Sequence, residues 1–166
     1  MGLQEALDHG IRPGLSVDNE TAYSTDMFTE MRVAFHLQRW AAHGAAVRGE
    51  KPPARLTVRD LLEFATVRGA HNAALAHKIG TLTPGKDADL VVIRAEDVNT
   101  MPLTNAVGTV VSHAHAGNIE AVFIAGEVRK WDGTLVGHDL AGIRGRVHES
   151  RDALFARHGF KLDVLG

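Results

Sequence analysis

The sequence predicts an α/β chain: one short buried strand feeds a group of helices, a compact β-rich stretch follows, and a helix closes the chain. Three observations carry this. Apolar residues recur at three- and four-residue spacing between residues 25 and 76, the period of an amphipathic helix. From Ile79 the pattern changes to short runs of β-forming residues separated by Gly, Pro and Asp. From Leu140 to His158 helical spacing returns, with Gly142 and Gly145 weakening its start.

Leu3 to His9 has the character of the last turns of an amphipathic helix, stopped by Gly10. A domain seldom begins there, so the expectation is that this chain is the later part of a longer protein. The turn Ile11-Arg12-Pro13-Gly14 then leads into Leu15-Ser16-Val17, a short apolar run expected to be a buried strand ending at Asp18. A single such strand cannot satisfy its own backbone groups, so its partners are expected in absent sequence or another chain.

Ser24 or Thr25 is expected to cap a helix carrying Met27, Phe28, Met31, Ala34, Phe35 and Trp40 as a core stripe, with Gly44 as its stop. Thr57-Val58-Arg59-Asp60 has the form of a capping box, opening a helix with Leu61, Leu62 and Ala65 on one face. A second short helix is expected over Ala70–Ala76. Beyond Ile79, Leu90–Ile93, Val107–Ser112 and Ala121–Ile124 are expected strands, the last turning at Ala125-Gly126 into Glu127–Trp131. Ile79 to Leu135 should therefore form mainly strands, in a small sheet or sandwich, with the helices of residues 25–76 grouped separately.

Composition bounds the chemistry. With 18 basic and 20 acidic residues the net charge is -2, too weak a field to make nucleic acid or an anionic membrane the main partner. No apolar run reaches the length of a membrane span, and the opening MGLQEALDHG lacks the apolar core of a signal peptide, so a cytoplasmic location is expected. Absence of cysteine excludes disulfides and restricts any zinc site to His, Asp or Glu ligands. Ten histidines invite that thought, and His113-Ala114-His115 would place two imidazoles on one face of a strand. Gly85-Lys86 lacks the frame of a phosphate-binding loop and is read as a turn.

Three separated segments resemble one family. Leu15-Ser16-Val17-Asp18 followed by Asp26–Arg32 resembles the last barrel strand and following helix of amidohydrolase-superfamily deaminases and chlorohydrolases. Ala65-Thr66, Gly69-Ala70 and Ile79–Val92 are similar to that family's link from barrel to small β-sandwich, and Val122–Val128 to its sandwich hairpin. The pattern is nearest to methylthioadenosine/S-adenosylhomocysteine deaminases, guanine deaminases and triazine hydrolases.

The resemblance implies an α/β fold, the C-terminal fragment of a metal-dependent (β/α)8 barrel hydrolase: a barrel remnant over 1–77, a small β-sandwich part over 78–137 and a C-terminal helix over 138–166. It implies an aminohydrolase acting on a non-peptide C–N bond of a purine, pyrimidine or triazine-like heterocycle, with a divalent metal, Zn or else Fe or Mn. Asp18 is the one position matching the family's metal-site aspartate, and is expected to bind the metal or its water and shuttle a proton. Asn19, Glu20 and Tyr23, just after it, are the expected substrate contacts. The family's His-x-His pair comes from the first barrel strand, so position argues against a metal role for His113 and His115. With one ligand, the chain alone is expected to hold no tight metal and to lack activity. Its expected partners, besides substrate, are further copies of itself or the missing N-terminal part of the barrel. The alternative is a self-associating structural or binding module without catalysis.

Overall fold

The computed structural model describes residues 2–19 and 25–161, which fall into two compact units, Met1–Thr134 and Leu135–Gly166. The first unit opens with α1 (Leu3–Asp8), which buries Leu3, and continues through the extended segment 11–19. No strand is formed at Leu15–Val17, where β structure was expected. Leu15 instead donates its N–H to the Phe64 carbonyl at 3.1 Å, and the segment lies against a helix end rather than in a sheet. A strand without a neighbour has no ladder to join.

Helix α2 (Met27–Val47) is capped by Asp26, not by Ser24 or Thr25: its carboxylate accepts from the Thr29 N–H at 2.9 Å and the Thr29 hydroxyl at 2.8 Å. The helix runs through Gly44, since one glycine inside a long packed helix costs only about 1 kcal/mol against alanine. Phe28, Met31 and Ala34 are buried as the stripe requires, whereas Trp40, read as part of the core, is 75% exposed. Gln38 is buried on the same helix. It donates to the Ala54 carbonyl and accepts from the Leu56 N–H, pinning the loop that leads to α3.

Helix α3 (Val58–Ala65) starts with the expected capping box, the Thr57 hydroxyl accepting from the Asp60 N–H while the Asp60 carboxylate accepts from the Thr57 N–H at 2.8 Å. Leu61 and Phe64 are its fully buried residues. The second short helix, α4, spans Val67–Asn72 rather than Ala70–Ala76.

β1 (Leu90–Ile93), β2 (Ile119–Ile124), β3 (Glu127–Trp131) and the two-residue β4 (Thr134–Leu135) form one four-stranded sheet in sequence order. The β1–β2 and β2–β3 pairs are antiparallel. Residues 107–112, expected as a strand, fall instead in helix α5 (Ala106–Ser112). The Asn105 side chain accepts from the Gly108 N–H at 3.0 Å as its cap, and Val111 and Ala114, three residues apart, are both buried. Those two join Leu3, Phe28, Met31, Ala34, Leu56, Leu61 and Phe64 in one cluster, with Ile93 and Ile119 packed against it. The helices otherwise pack on helices and the strands on strands, as the change of spacing at Ile79 led one to expect, with Ile93 and Ile119 as the sheet's contacts to the helical core.

The second unit contains α6 (Leu140–His158), capped by Asp139, whose carboxylate accepts from the Gly142 N–H at 2.9 Å, and closed by Gly159 at φ 66°. No described residue of α6 is buried. Among the described residues no helix is long and apolar enough to cross a membrane.

Candidate functional site

The segment from Arg12 to Asn19 is fixed at its start. The Arg12 guanidinium pairs with Asp60 at 2.5 Å, reaches Glu63 at 3.6 Å, and lies 5.1 Å from the centre of the Phe64 ring. Burial pushes the Asp60 carboxyl up. Hydrogen bonds from the Thr57 hydroxyl, Arg12 and the Thr57 N–H, with the Arg12 charge, outweigh it and hold the pKa down at about 2, against an ordinary 3.8. Asp60 is therefore ionised at neutral pH, opposite the Arg12 guanidinium.

Gly14 is the next anchor. A Cβ there would meet the Asn72 side-chain nitrogen at 3.1 Å and the Gly69 backbone at 3.2 Å, so the chain approaches α4 more closely than a side chain would allow comfortably. After the Leu15 bond to Phe64, the segment leaves the body of the unit and Asp18 is reached.

Asp18 is exposed and adopts a left-handed backbone at φ 62°, a conformation that aspartate tolerates better than most residues. Its N–H donates to the Ser16 hydroxyl at 3.1 Å, closing a local turn, and its carboxylate accepts from the Asn19 amide at 3.4 Å. The turn leaves the Asp18 side chain exposed just after a stretch braced at Arg12, Gly14 and Leu15. Asn19 is beside it; Glu20 and Tyr23, the other expected substrate contacts, lie outside the described residues.

Asp18 has the donor chemistry that divalent cations take, but a closed site needs more. Among the described residues, no three His, Asp or Glu side chains converge where an ion would sit. The described residues therefore hold no full ligand set for such an ion.

The two histidines around Ala114 are not brought together as a pair on a strand. His113 ends α5, and His115 caps the turn Ala116–Asn118, its Nδ1 accepting from the Gly117 N–H at 3.0 Å. Between them Ala114 is buried, and its carbonyl accepts from Arg32 at 2.6 Å. This stretch is a structural corner. Asn99 and Asn118 exchange side-chain hydrogen bonds at 2.9 and 3.0 Å, and Asn118 also donates to Asp97, which with Arg94 holds that carboxyl below its usual range.

Sequence reasoning missed Arg12 and Gly14 as the residues that brace the Asp18 segment. Arg12 sits 48 residues from its partner Asp60, and no local pattern announces such a pair.

A profile of the amidohydrolase family matches residues 1–129. The chain is 33% identical over 135 residues to a 5-methylthioadenosine/S-adenosylhomocysteine deaminase of Pyrococcus furiosus, covering 81% of this chain and 30% of that protein. It is 27% identical over 132 residues to an S-triazine hydrolase of Gordonia rubripertincta, covering 79% of this chain and 26% of that one. Its fold is similar to that of a Xanthomonas campestris adenosine deaminase with bound zinc, at a TM-score of 0.77 and 26% identity over 93% of this chain and 33% of the other. Escherichia coli guanine deaminase shares the fold at a TM-score of 0.61. The chain thus spans about a third or less of the length of these relatives. The family match over most of the sequence, with relatives agreeing on hydrolases and deaminases of heterocycles, means that the chain belongs to the amidohydrolase family.

Proposed function

We propose that this chain is the C-terminal portion of a metal-dependent amidohydrolase that removes an amino group from a nitrogen heterocycle, and that Asp18 is its proton-shuttling carboxylate. The observation that carries this is the turn that leaves Asp18 exposed, just after a stretch braced at Arg12, Gly14 and Leu15. Membership of the amidohydrolase family and relatives named for deamination of adenosine derivatives and hydrolysis of triazines support it. The division into a barrel remnant over 1–77, a small β part over 78–137 and a C-terminal helix belongs to the same proposal.

Asp18 would be this chain's one ligand to a divalent ion, zinc by analogy with the zinc-bound relative. Such an ion, when bound, lowers the pKa of water to about 7. An Asp18 oxygen takes the proton of the attacking water and returns it to the departing nitrogen, so that ammonia leaves as a neutral molecule. The left-handed turn and the bond from the Asp18 N–H to the Ser16 hydroxyl fix the backbone from which that carboxylate projects. Asn19, Glu20 and Tyr23 would contact the heterocycle.

With a single carboxylate the chain competes poorly with bulk water for a cation. Equilibrium dialysis of the purified 166-residue chain against zinc, with an ammonia-release assay on adenosine, methylthioadenosine and guanine, tests this. Neither stoichiometric zinc nor ammonia is expected; the chain joined to its native upstream sequence should show both. Ammonia release with one zinc per isolated chain would overturn the proposal and return His113 and His115 to consideration.

A further inference from the structure

Glu30 lies in the first turn of α2, its N–H donating to the Asp26 carbonyl at 3.3 Å, and only 6% of it is exposed. Its neighbours on the inward side of the helix, Phe28, Met31 and Ala34, are buried and apolar, and the chemistry proposed above makes no use of it. With Pro13, Gly14, Leu15 and Ser16 it lines a cavity of about 300 Å³, so its carboxyl group borders the stretch that runs into Asp18. Upstream sequence adds cover to this group and removes none.

Stability alone favours an apolar residue at position 30. Taking a carboxyl group out of water is unfavourable and its hydrogen bonds at best offset that, whereas a methionine of similar volume packs there without the penalty. What the carboxyl group supplies, and methionine does not, is direction: acceptor oxygens that hold neighbouring backbone to one geometry. The backbone beside it is the stretch whose Ser16 hydroxyl accepts from the Asp18 N–H at 3.1 Å. Helix α2 is a firm base for such a hold, since Asp26 caps it and Phe28, Met31 and Ala34 anchor it in the central cluster.

We propose that Glu30 is a positioning residue for Asp18: it fixes the stretch Gly14–Ser16 and so the place from which the Asp18 carboxylate works. The inference rests on the reading of Asp18 as the proton-shuttling group. Glu30 touches neither substrate nor the reacting atoms in this account, so its loss should lower kcat and spare KM.

The test uses the chain joined to its native upstream sequence. It measures ammonia release from whichever of adenosine, methylthioadenosine and guanine is turned over fastest, beside thermal melting by circular dichroism. Glu30→Met should melt at or above the temperature of the parent protein, while kcat falls about ten- to a hundredfold and KM stays within about twofold. Glu30→Gln, which keeps one acceptor oxygen, should lose less. In the 166-residue chain, the Asp18 amide followed by nuclear magnetic resonance should exchange several-fold faster in Glu30→Met. A structural role alone would move stability and activity together. A Glu30→Met protein that melts several degrees lower and loses activity only as its folded fraction falls would overturn the proposal, and so would one with the kcat of the parent or an unchanged Asp18 exchange rate. Asp18→Asn, run in parallel, separates the two readings. Turnover that survives Asp18→Asn removes the role of Asp18 and this inference with it; turnover lost in Asp18→Asn and kept in Glu30→Met removes the inference alone.

Discussion

Replacing Asp60 by Asn removes one negative charge and leaves the shape of α3 nearly unchanged, which makes it a sharp test of how the Asp18 segment is held. The Asp60 carboxyl titrates at about 2 in the folded chain against an ordinary 3.8. At about 1.36 kcal/mol per pKa unit the shift has a ceiling near 2.4 kcal/mol, and screening of a carboxylate in contact with water reduces it to about 1 kcal/mol. The sign is that of a depressed acid: the stabilisation is full above pH 3.8 and is lost as the pH falls toward 2. Loss of the ionised half of the capping box is part of that same energy, since the Thr57 hydroxyl and N–H are among the causes of the shift. Urea unfolding followed by circular dichroism at pH 7 and at pH 2 reads it. Asp60→Asn should be less stable by about 1 kcal/mol at pH 7, and the gap should close to a few tenths at pH 2. A gap of the same size at both values would refute the assignment of that energy to the Asp60 charge.

Phe64 is fully buried under Arg12 and in the central cluster, so Phe64→Ala should cost about 3–5 kcal/mol in the same urea assay. Gly80 has φ +91°, and a Cβ there would come within 2.6 Å of the Ala70 Cβ; Gly80→Ala should therefore lower the melting temperature by several degrees, about 2 kcal/mol or more, where Gly145→Ala in α6 should not. Exposed apolar residues such as Val91 and Val92 lie on β1, which is an edge of the sheet, and an uncharged edge pairs readily. Sedimentation at micromolar concentration should show association, and Val91→Lys should reduce it; a stable monomer would contradict this.

The elements legible in the sequence were those whose local chemistry and tertiary setting agree. The Thr57–Asp60 capping box names its own helix, and the hairpin over Ala121–Trp131 is marked by Ala125-Gly126 between two β-rich runs. Residues 107–112 misled because Val107, Thr109, Val110 and Val111 favour strands while their setting demands a helix. Two signals for that helix were present: Asn105 as a cap, and apolar positions 107, 110, 111 and 114 at helical spacing. Leu15–Val17 shows the converse. Its composition suits a strand, but strand formation depends on a neighbour, and none of the described residues supplies one. Trp40 matched the helical period of a core face, yet burial depends on what the face meets. Asp18 is proposed from resemblance of pattern, whereas Arg12 and Gly14 meet residues more than forty positions away, which a linear pattern does not display.

The central claim, that Asp18 moves the proton, is tested most directly by Asp18→Asn in the chain joined to its native upstream sequence. The amide keeps the shape of the carboxylate and cannot accept a proton. Ammonia release from the best heterocyclic substrate should fall at least about a thousandfold while the melting temperature stays within a degree or two of the parent protein. Undiminished turnover in the folded variant would contradict the account.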